Sequence, residues 1–521
     1  MADTTTSYRT IPDVLFESAT RRPDRTWLRT DEGRLTFGQA AAQVAVTARA
    51  LHDAGVRHGD LVLVTARTTP PYLLCWLALA SIGAVTVSAN PRSAPPELAG
   101  LAQQTQPAAV ITDAGLTSLI DEAQLAGLPR LGFLDADGLT KGWTSATADV
   151  TRRPAPDVAP DDLAVLIPTS GTTGRSKLVM QTHRAYAMAG EGFPYWMGLT
   201  ADDRLMTSLP LFHINAPAYS VMGSLASGAG LILLPRFSAS TFLDSARRHG
   251  ATEFNAIGAM LEILMRQPPK PGDADTPLRL CYTGPAPARE RQEEIERRFG
   301  LRIVVGYAMS ESPYGLIWPH GTRPYGTLGT PRQHPRLGTV NEARVVGEDG
   351  DPAAVGDTGE LLLRNPVITP GYWGMPDETA ATFTSDGWLR TGDLVTANAD
   401  GTYTFVARKK EVLRRRGENL SPAEVEEAIA SHPSVLECAV IGVPSELSED
   451  EVKAFVVPAP GASLDFAELR RHAAGLLAAF KVPRFWQAIG ELPHTPTSRV
   501  AKHRLPQAHT PEEYDADPDR K

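Results

Sequence analysis

Through the first two-thirds of the chain, stretches with helical apolar spacing alternate with short β-branched runs. Residues 39–54 and 73–82 place apolar side chains along one helix face. Residues 61–65, 84–88 and 109–112 are β-branched runs of strand length. Such alternation points to α/β layers around parallel sheet, because parallel neighbours need a crossover long enough to hold a helix. No repeat of fixed period interrupts it.

After about Asp357 the rhythm changes. GELLLR, GWLRTGDL and GTYTFVARKKEVLR read as strands joined by Gly/Asp turns. Ser421, Pro422 and Glu424 then form a helix start, with N-cap, first-turn proline and capping box in order. The pattern predicts a helix over 423–431, strands near 439–443 and 454–457, a helix over 465–479 and a basic loop over 481–484. The expected fold class is therefore α/β: a large layered domain over 1–407 and a small mobile α+β domain over 408–505. Their boundary is placed near 407–411. Residues 506–521, which include PEEYDADPDRK, are polar and acidic and are expected to be a disordered tail.

At 521 residues the chain is too long for one compact core. Its 42% hydrophobic and 21% charged residues suit a soluble globular protein. The net charge of -9 argues against a nucleic-acid partner, since phosphate contacts demand a basic surface. It does not argue against one nucleotide in a locally basic cleft. Cys75, Cys281 and Cys438 are odd in number and lack metal-type spacing, so a reducing, cytoplasmic location is expected. The N-terminal MADTTTSYRT has no signal-peptide pattern. The apolar stretch 73–89 is interrupted by Ser81, Gly83 and Thr86 and falls short of the about 20 residues a membrane span needs. It reads as a buried helix and then a buried strand, so no membrane insertion is expected.

The strongest local signal is AVLIPTSGTTGRSKLVMQTH, residues 164–183. An apolar strand runs into Thr169, Ser170, Gly171, Thr172, Thr173 and Gly174, followed by Lys177. Glycines let backbone N–H groups approach an anion, hydroxyls add donors, and the lysine adds charge. Together they suit the β- and γ-phosphates of a nucleotide. The spacing is not that of the Walker A loop.

With this loop, the sequence resembles the adenylate-forming superfamily of acyl-CoA synthetases, peptide-synthetase adenylation domains and luciferases. The resemblance covers essentially the whole chain, with motifs in the family's order, and implies ATP and Mg²⁺ as cofactors. PLFHINAP places His213 where the family flanks its acyl site. CYTGPAPA, with Gly284, is similar to the turn that runs along adenine. GYAMSES is similar to the family's YGxTE block: Tyr307 would stack on adenine, Ser310 would donate to the α-phosphate, and Glu311 would hold the metal. In GWLRTGDL, Asp393 would accept from the ribose hydroxyls. In VARKKEVLRRRGENLSPAEVE, Arg408 would reach ribose or phosphate, Lys410 takes the hinge position, and Gly417 lies in the loop that lines the pantetheine tunnel of CoA ligases.

ELPHTPTSRVAKHRL corresponds to the segment with the family's catalytic lysine. Here that position is Arg499, after Ser498 in place of Gly. Arginine keeps the charge but changes length and donor geometry. Leu178 and Ser176 also depart from the family's Gly and Pro. The resemblance, closest in look to crotonobetaine/carnitine-type ligases, implies an AMP-forming acid–CoA ligase for a small or aromatic acid in specialised metabolism, antibiotic biosynthesis included. It would use CoA as co-substrate, with Lys177, Arg499, Glu311 and His213 as catalytic residues. Two alternatives stay open: a diazotase that activates nitrite for attack by an aromatic amine, and a non-catalytic nucleotide-binding homologue. A peptide-synthetase module is disfavoured because no carrier domain follows Leu505. Asn255, Ser312, Tyr314 and Trp318 are expected in the substrate pocket. The sequence leaves the oligomeric state open.

Overall fold

The computed structural model describes residues 8–133, 158–169, 176–284, 287, 289–347, 349–408, 413–415, 418–420, 422–444, 450–493, 500 and 502–517. Two large sheets organise the N-terminal domain. The first has six strands in the order Arg130–Phe133, Ala109–Thr112, Leu61–Thr65, Val85–Ala89, Leu163–Thr169 and Lys177–Thr182. The first five run parallel and the last is antiparallel. Every residue of Leu61–Thr65 and Val85–Ala89 is buried. Both faces of these strands are covered, so they read as unbroken apolar runs.

The helix Pro70–Ser81 lies in the main core, with all its residues buried. Thr69 caps it by accepting from Tyr72 N–H at 3.4 Å. Pro70 and Pro71 occupy the first turn, where a missing N–H breaks no helical bond. Each fully buried leucine here contributes about 1.5–3 kcal/mol. The stretch 73–89 is thus a helix followed by a strand, as its interruptions predict. No described helix is long and apolar enough to cross a membrane.

The second sheet has nine strands. At its centre Arg204–Thr207, Glu253–Ile257, Leu280–Gly284 and Arg302–Met309 run parallel, so their carboxyl ends share one edge. Ligands in open α/β sheets bind at such an edge. Beyond residue 341 the topology turns antiparallel, in a sheet of Glu342–Val346, Thr358–Arg364, Leu389–Ala397 and Tyr403–Arg408. This is the change of rhythm read after Asp357: antiparallel neighbours replace parallel ones, although the helix Pro376–Thr382 lies in the link between Thr358–Arg364 and Leu389–Ala397.

The small domain has its own core, built on Leu420, Val425, Ile429, Val452, Val456 and Trp486. The hairpin Leu413–Arg415/Glu418–Leu420 leads into the helix Pro422–Ala430, one residue ahead of the expected start. Ser421 lies outside the described residues. The strands Val435–Pro444 and Asp450–Pro458 are longer than expected, and the helix Phe466–Leu476 is shorter. Lys481, read as part of a basic loop, is paired with Glu424 at 2.7 Å and with Glu97 of the large domain at 2.9 Å.

The disordered tail expected over 506–521 is corrected by the structure as far as Asp517. Tyr514–Asp515 pairs antiparallel with Phe485–Ala488 at the edge of the small sheet. Arg484 binds both oxygens of Asp515 at 2.8 Å, and Tyr514 stacks on Phe466 with centroids 5.8 Å apart. Acidic composition suggested disorder, but an arginine and an aromatic surface on the domain supply specific partners.

Candidate active site

The strand Leu163–Thr169 turns back into Lys177–Thr182, with Thr169 opposite Lys177 and its hydroxyl donating to Lys177 C=O at 3.3 Å. Ser170, Gly171, Thr172, Thr173 and Gly174 lie outside the described residues, as do Lys410, Gly417 and Arg499. Lys177 Nζ sits 4.4 Å from the centroid of the Tyr372 ring. The Tyr372 hydroxyl donates to Glu311 Oε1 at 2.8 Å. One aromatic ring therefore meets the loop lysine on its face and the metal-candidate carboxylate at its tip. Burial, and then the Glu311 carboxylate, push the Tyr372 phenol far above its ordinary range. It stays protonated and acts as a donor.

Tyr372 is held in place by backbone ties. Met180 N–H donates to Gly371 C=O at 3.0 Å, and Trp373 N–H donates to Leu178 C=O at 2.9 Å. Thr369 N–H donates to Glu311 C=O at 2.7 Å, and the Thr369 hydroxyl to Met180 C=O at 2.6 Å. Gly371 has φ of +137°, and a Cβ there would lie 2.4 Å from Thr379 Cγ2. Only glycine passes this turn without strain. Sequence reasoning missed Tyr372; the turn-rich TPGYW around it was the available signal.

At the carboxyl edge of the second sheet, Gly284 ends its strand against Arg302–Met309. A Cβ on Gly284 would lie 2.4 Å from Gly306 C=O. The backbone next to Tyr307 therefore leaves no space for a side chain. The Tyr307 hydroxyl donates to Asp393 Oδ2 at 2.6 Å. The proposed adenine and ribose residues thus meet directly. Asp393 is buried and pairs in register with Arg408 of the adjoining strand. Ser310 lies in the turn after Met309, where its C=O accepts from Gln181 Nε2 at 2.5 Å. Lys177 and Glu311 are thus linked through Tyr372, and Tyr307 of the second sheet is linked to Asp393 of the antiparallel sheet.

His213 lies at the domain junction. Its Nε2 is 2.7 Å from Glu418 Oε2, and Arg92 Nη2 donates to Glu418 Oε1 at 2.9 Å. Burial opposes the Glu418 charge, yet His213 and then Arg92 hold its carboxyl below the ordinary glutamate range. Neither Glu418 nor Arg92 stood out in the sequence as a site residue.

Of the expected pocket residues, Asn255 donates to Asn215 Oδ1 at 2.7 Å beside His213. Ser312 is buried, and its hydroxyl accepts from Asn365 Nδ2 at 3.1 Å. Tyr314 and Trp318 are corrected to core positions. Tyr314 donates to Met188 C=O at 2.9 Å, and Trp318 Nε1 donates to Thr327 C=O at 2.8 Å. Nearby, Arg332 is wholly buried between Trp196, Tyr219 and Tyr282 and donates to Leu316 and Pro313 carbonyls.

Among the described residues no group of three or more His, Cys, Asp or Glu could hold a metal ion. A single carboxylate such as Glu311 still suits Mg²⁺, which takes one or two protein oxygens and completes its shell with phosphate and water.

The family described as AMP-binding enzyme matches residues 15–373, and the AMP-binding enzyme C-terminal domain matches residues 424–499. Sulfoacetate–CoA ligase of Cupriavidus necator is 33% identical over 508 residues, covering 96% of this chain and 97% of that protein. Crotonobetaine/carnitine–CoA ligase of Salmonella typhimurium is 30% identical over 487 residues, covering 91% and 93%. Among solved structures, a double mutant of o-succinylbenzoate CoA synthetase from Bacillus subtilis, bound with its product analogue OSB-NCoA, is 25% identical. It has a TM-score of 0.83 and covers 95% of this chain and 98% of that one.

Proposed function

Because this chain belongs to the AMP-binding enzyme family and is an AMP-forming ligase, we propose that it activates a small or aromatic carboxylic acid as the adenylate and transfers the acyl group to CoA. The observation that carries this reading is the convergence of Lys177, Tyr372 and Glu311 beside the Tyr307–Asp393 pair.

A carboxylate is already ionised at neutral pH and attacks the α-phosphorus of ATP without a general base. The work left to the protein is positioning and charge neutralisation. Tyr307, Gly284, Asp393 and Arg408 hold the nucleoside; Lys177 and the loop from Thr169 to Gly174 hold the phosphates; Ser310 binds the α-phosphate. Arg499 brings a second positive charge to the reacting centre. Glu311 holds magnesium, which when bound neutralises phosphate charge. Pyrophosphate leaves. The thiol sulfur then attacks the acyl carbon, its proton passes to solvent, and AMP departs.

The second half-reaction is assigned to the domain arrangement described above. The Glu418 contact to His213 and Arg92 supports this, because it docks the hairpin next to Gly417 on the acyl side. So does the likeness over both domains to a structure bound with a CoA product analogue. A division at residue 407/408 with Lys410 as hinge, a role in specialised metabolism, and a cytoplasmic location belong to the same reading.

Pyrophosphate release with MgATP tests it, across a panel of aliphatic and aromatic acids with and without CoA, and nitrite with and without aromatic amines. Acid-dependent release with thioester formation is expected. Release only with nitrite, giving a diazo product with amine, would replace the carboxylate by nitrite and leave the nucleotide chemistry standing.

A further inference from the structure

Lys481 bridges the two domains. Its ammonium lies 2.7 Å from Glu424 Oε1 on the small domain and 2.9 Å from Glu97 Oε1 on the large one. The side chains of Lys481, Glu97 and Glu424 are 13%, 15% and 16% exposed, so solvent screens this contact less than it screens an open surface pair.

Each partner is aimed from within its own domain. Glu97 stands in the first turn of the helix Pro95–Thr105, and its second oxygen accepts from Ala94 N–H at 2.9 Å. That capping bond satisfies an orphan donor of the helix start and leaves Oε1 for Lys481. Lys481 sits in a turn closed by its own N–H, which donates to Ala478 C=O at 2.9 Å. The carbonyls on either side of it, Phe480 and Val482, both accept from Arg415 Nη1, at 2.9 and 2.7 Å. Arg415 is buried and ion-paired with Glu451.

A surface ion pair is worth little partly because two long side chains must be ordered to make it. Here most of that ordering is in place before the domains meet, so more of the attraction goes into docking. The cluster also releases without stranding a charge. As the domains part, Lys481 keeps Glu424 and Glu97 returns to water, so no buried ion loses its partner. Arg92, which meets Glu418, stands just ahead of the same helix, and its guanidinium lies 5.9 Å from the centroid of the Phe480 ring. Residues 92–97 therefore carry two ionic ties to the small domain.

We propose that Lys481 is a positioning residue for thioester formation, latching the small domain to Glu97 in the arrangement that this step uses. The proposal rests on the assignment of the second half-reaction to that arrangement.

Carbodiimide coupling of the full chain joins a lysine to a carboxylate in direct contact and tests the latch without any substrate. Peptide mapping should find Lys481 joined to Glu97 as well as to Glu424. Absence of the Lys481–Glu97 product would overturn the proposal. Glu97→Gln keeps the capping oxygen and removes the charge. Single-turnover thioester formation from preformed adenylate should then slow about fivefold, the scale of a partly buried ion pair, with acid-dependent pyrophosphate release unchanged. Lys481→Glu should slow the thioester step further. Combining it with Glu97→Lys restores opposite charges and should recover most of the rate. Equal slowing of both half-reactions, or no recovery in the exchanged pair, would overturn the positioning role. Failure of every acid to release pyrophosphate would count against the activity, while the coupling result would still decide whether the latch forms.

Discussion

His213 Nε2 lies 2.7 Å from Glu418 Oε2, across the junction of the two domains. Arg92, from the large domain, holds the other Glu418 oxygen at 2.9 Å. A buried carboxylate is thus satisfied only while the small domain is docked in this orientation. Glu418→Gln removes the charge and keeps the shape. It should slow thioester formation about tenfold and leave adenylate formation nearly unchanged. Single-turnover assays with and without CoA separate the two steps; equal slowing of both would contradict the assignment.

Tyr372 links Lys177 to Glu311 through one ring. Tyr372→Phe keeps the face under Lys177 and loses the bond to Glu311, a loss of about 1.5–3 kcal/mol for a charged acceptor. Acid-dependent pyrophosphate release should fall by about 10- to 100-fold. Tyr372→Leu should fall further, because the cation–π contact goes too. Rates for Tyr372→Phe equal to wild type would remove Tyr372 from the site.

Gly284→Ala places a methyl group 2.4 Å from Gly306 C=O, backbone against backbone. The strand next to Tyr307 must then shift. Overpacking of this kind costs about 1–3 kcal/mol, and the KM for ATP should rise more than the KM for the acid. Steady-state kinetics with each substrate varied in turn make the comparison.

His183 is buried, and neither of its ring nitrogens has a hydrogen-bond partner among the described residues. Burial lowers its pKa from 6.5 to about 4. Its stability contribution is full above about pH 6.5, where the ring is neutral whether folded or not. It declines as pH falls towards about 4 and then levels off. The shift corresponds to about 3 kcal/mol. The difference in unfolding free energy between wild type and His183→Gln should therefore move by roughly that amount, against wild type, between pH 7 and 4. Denaturant titrations across that range measure it, and a pH-independent difference would contradict it.

Local pattern determined much of this protein. The helix read over 73–82, the β-branched runs read at 61–65 and 84–88, and the turn-rich strands after 357 were legible because periodicity acts within a few residues. The loop ahead of Lys177 was marked by its own glycines and hydroxyls, whereas the motifs around Tyr307, Glu311 and Asp393 were marked by resemblance to the family, which the family match bears out. Tertiary structure alone decided which of these surfaces meet. It put Tyr372 between Lys177 and Glu311, and Glu418 against His213. It sent Tyr314 and Trp318 to the core and recruited Tyr514–Asp515 into a sheet. A sequence states which face of an element is apolar or charged, but its partner face lies far along the chain. Only the packing of whole sheets and domains brings the two together.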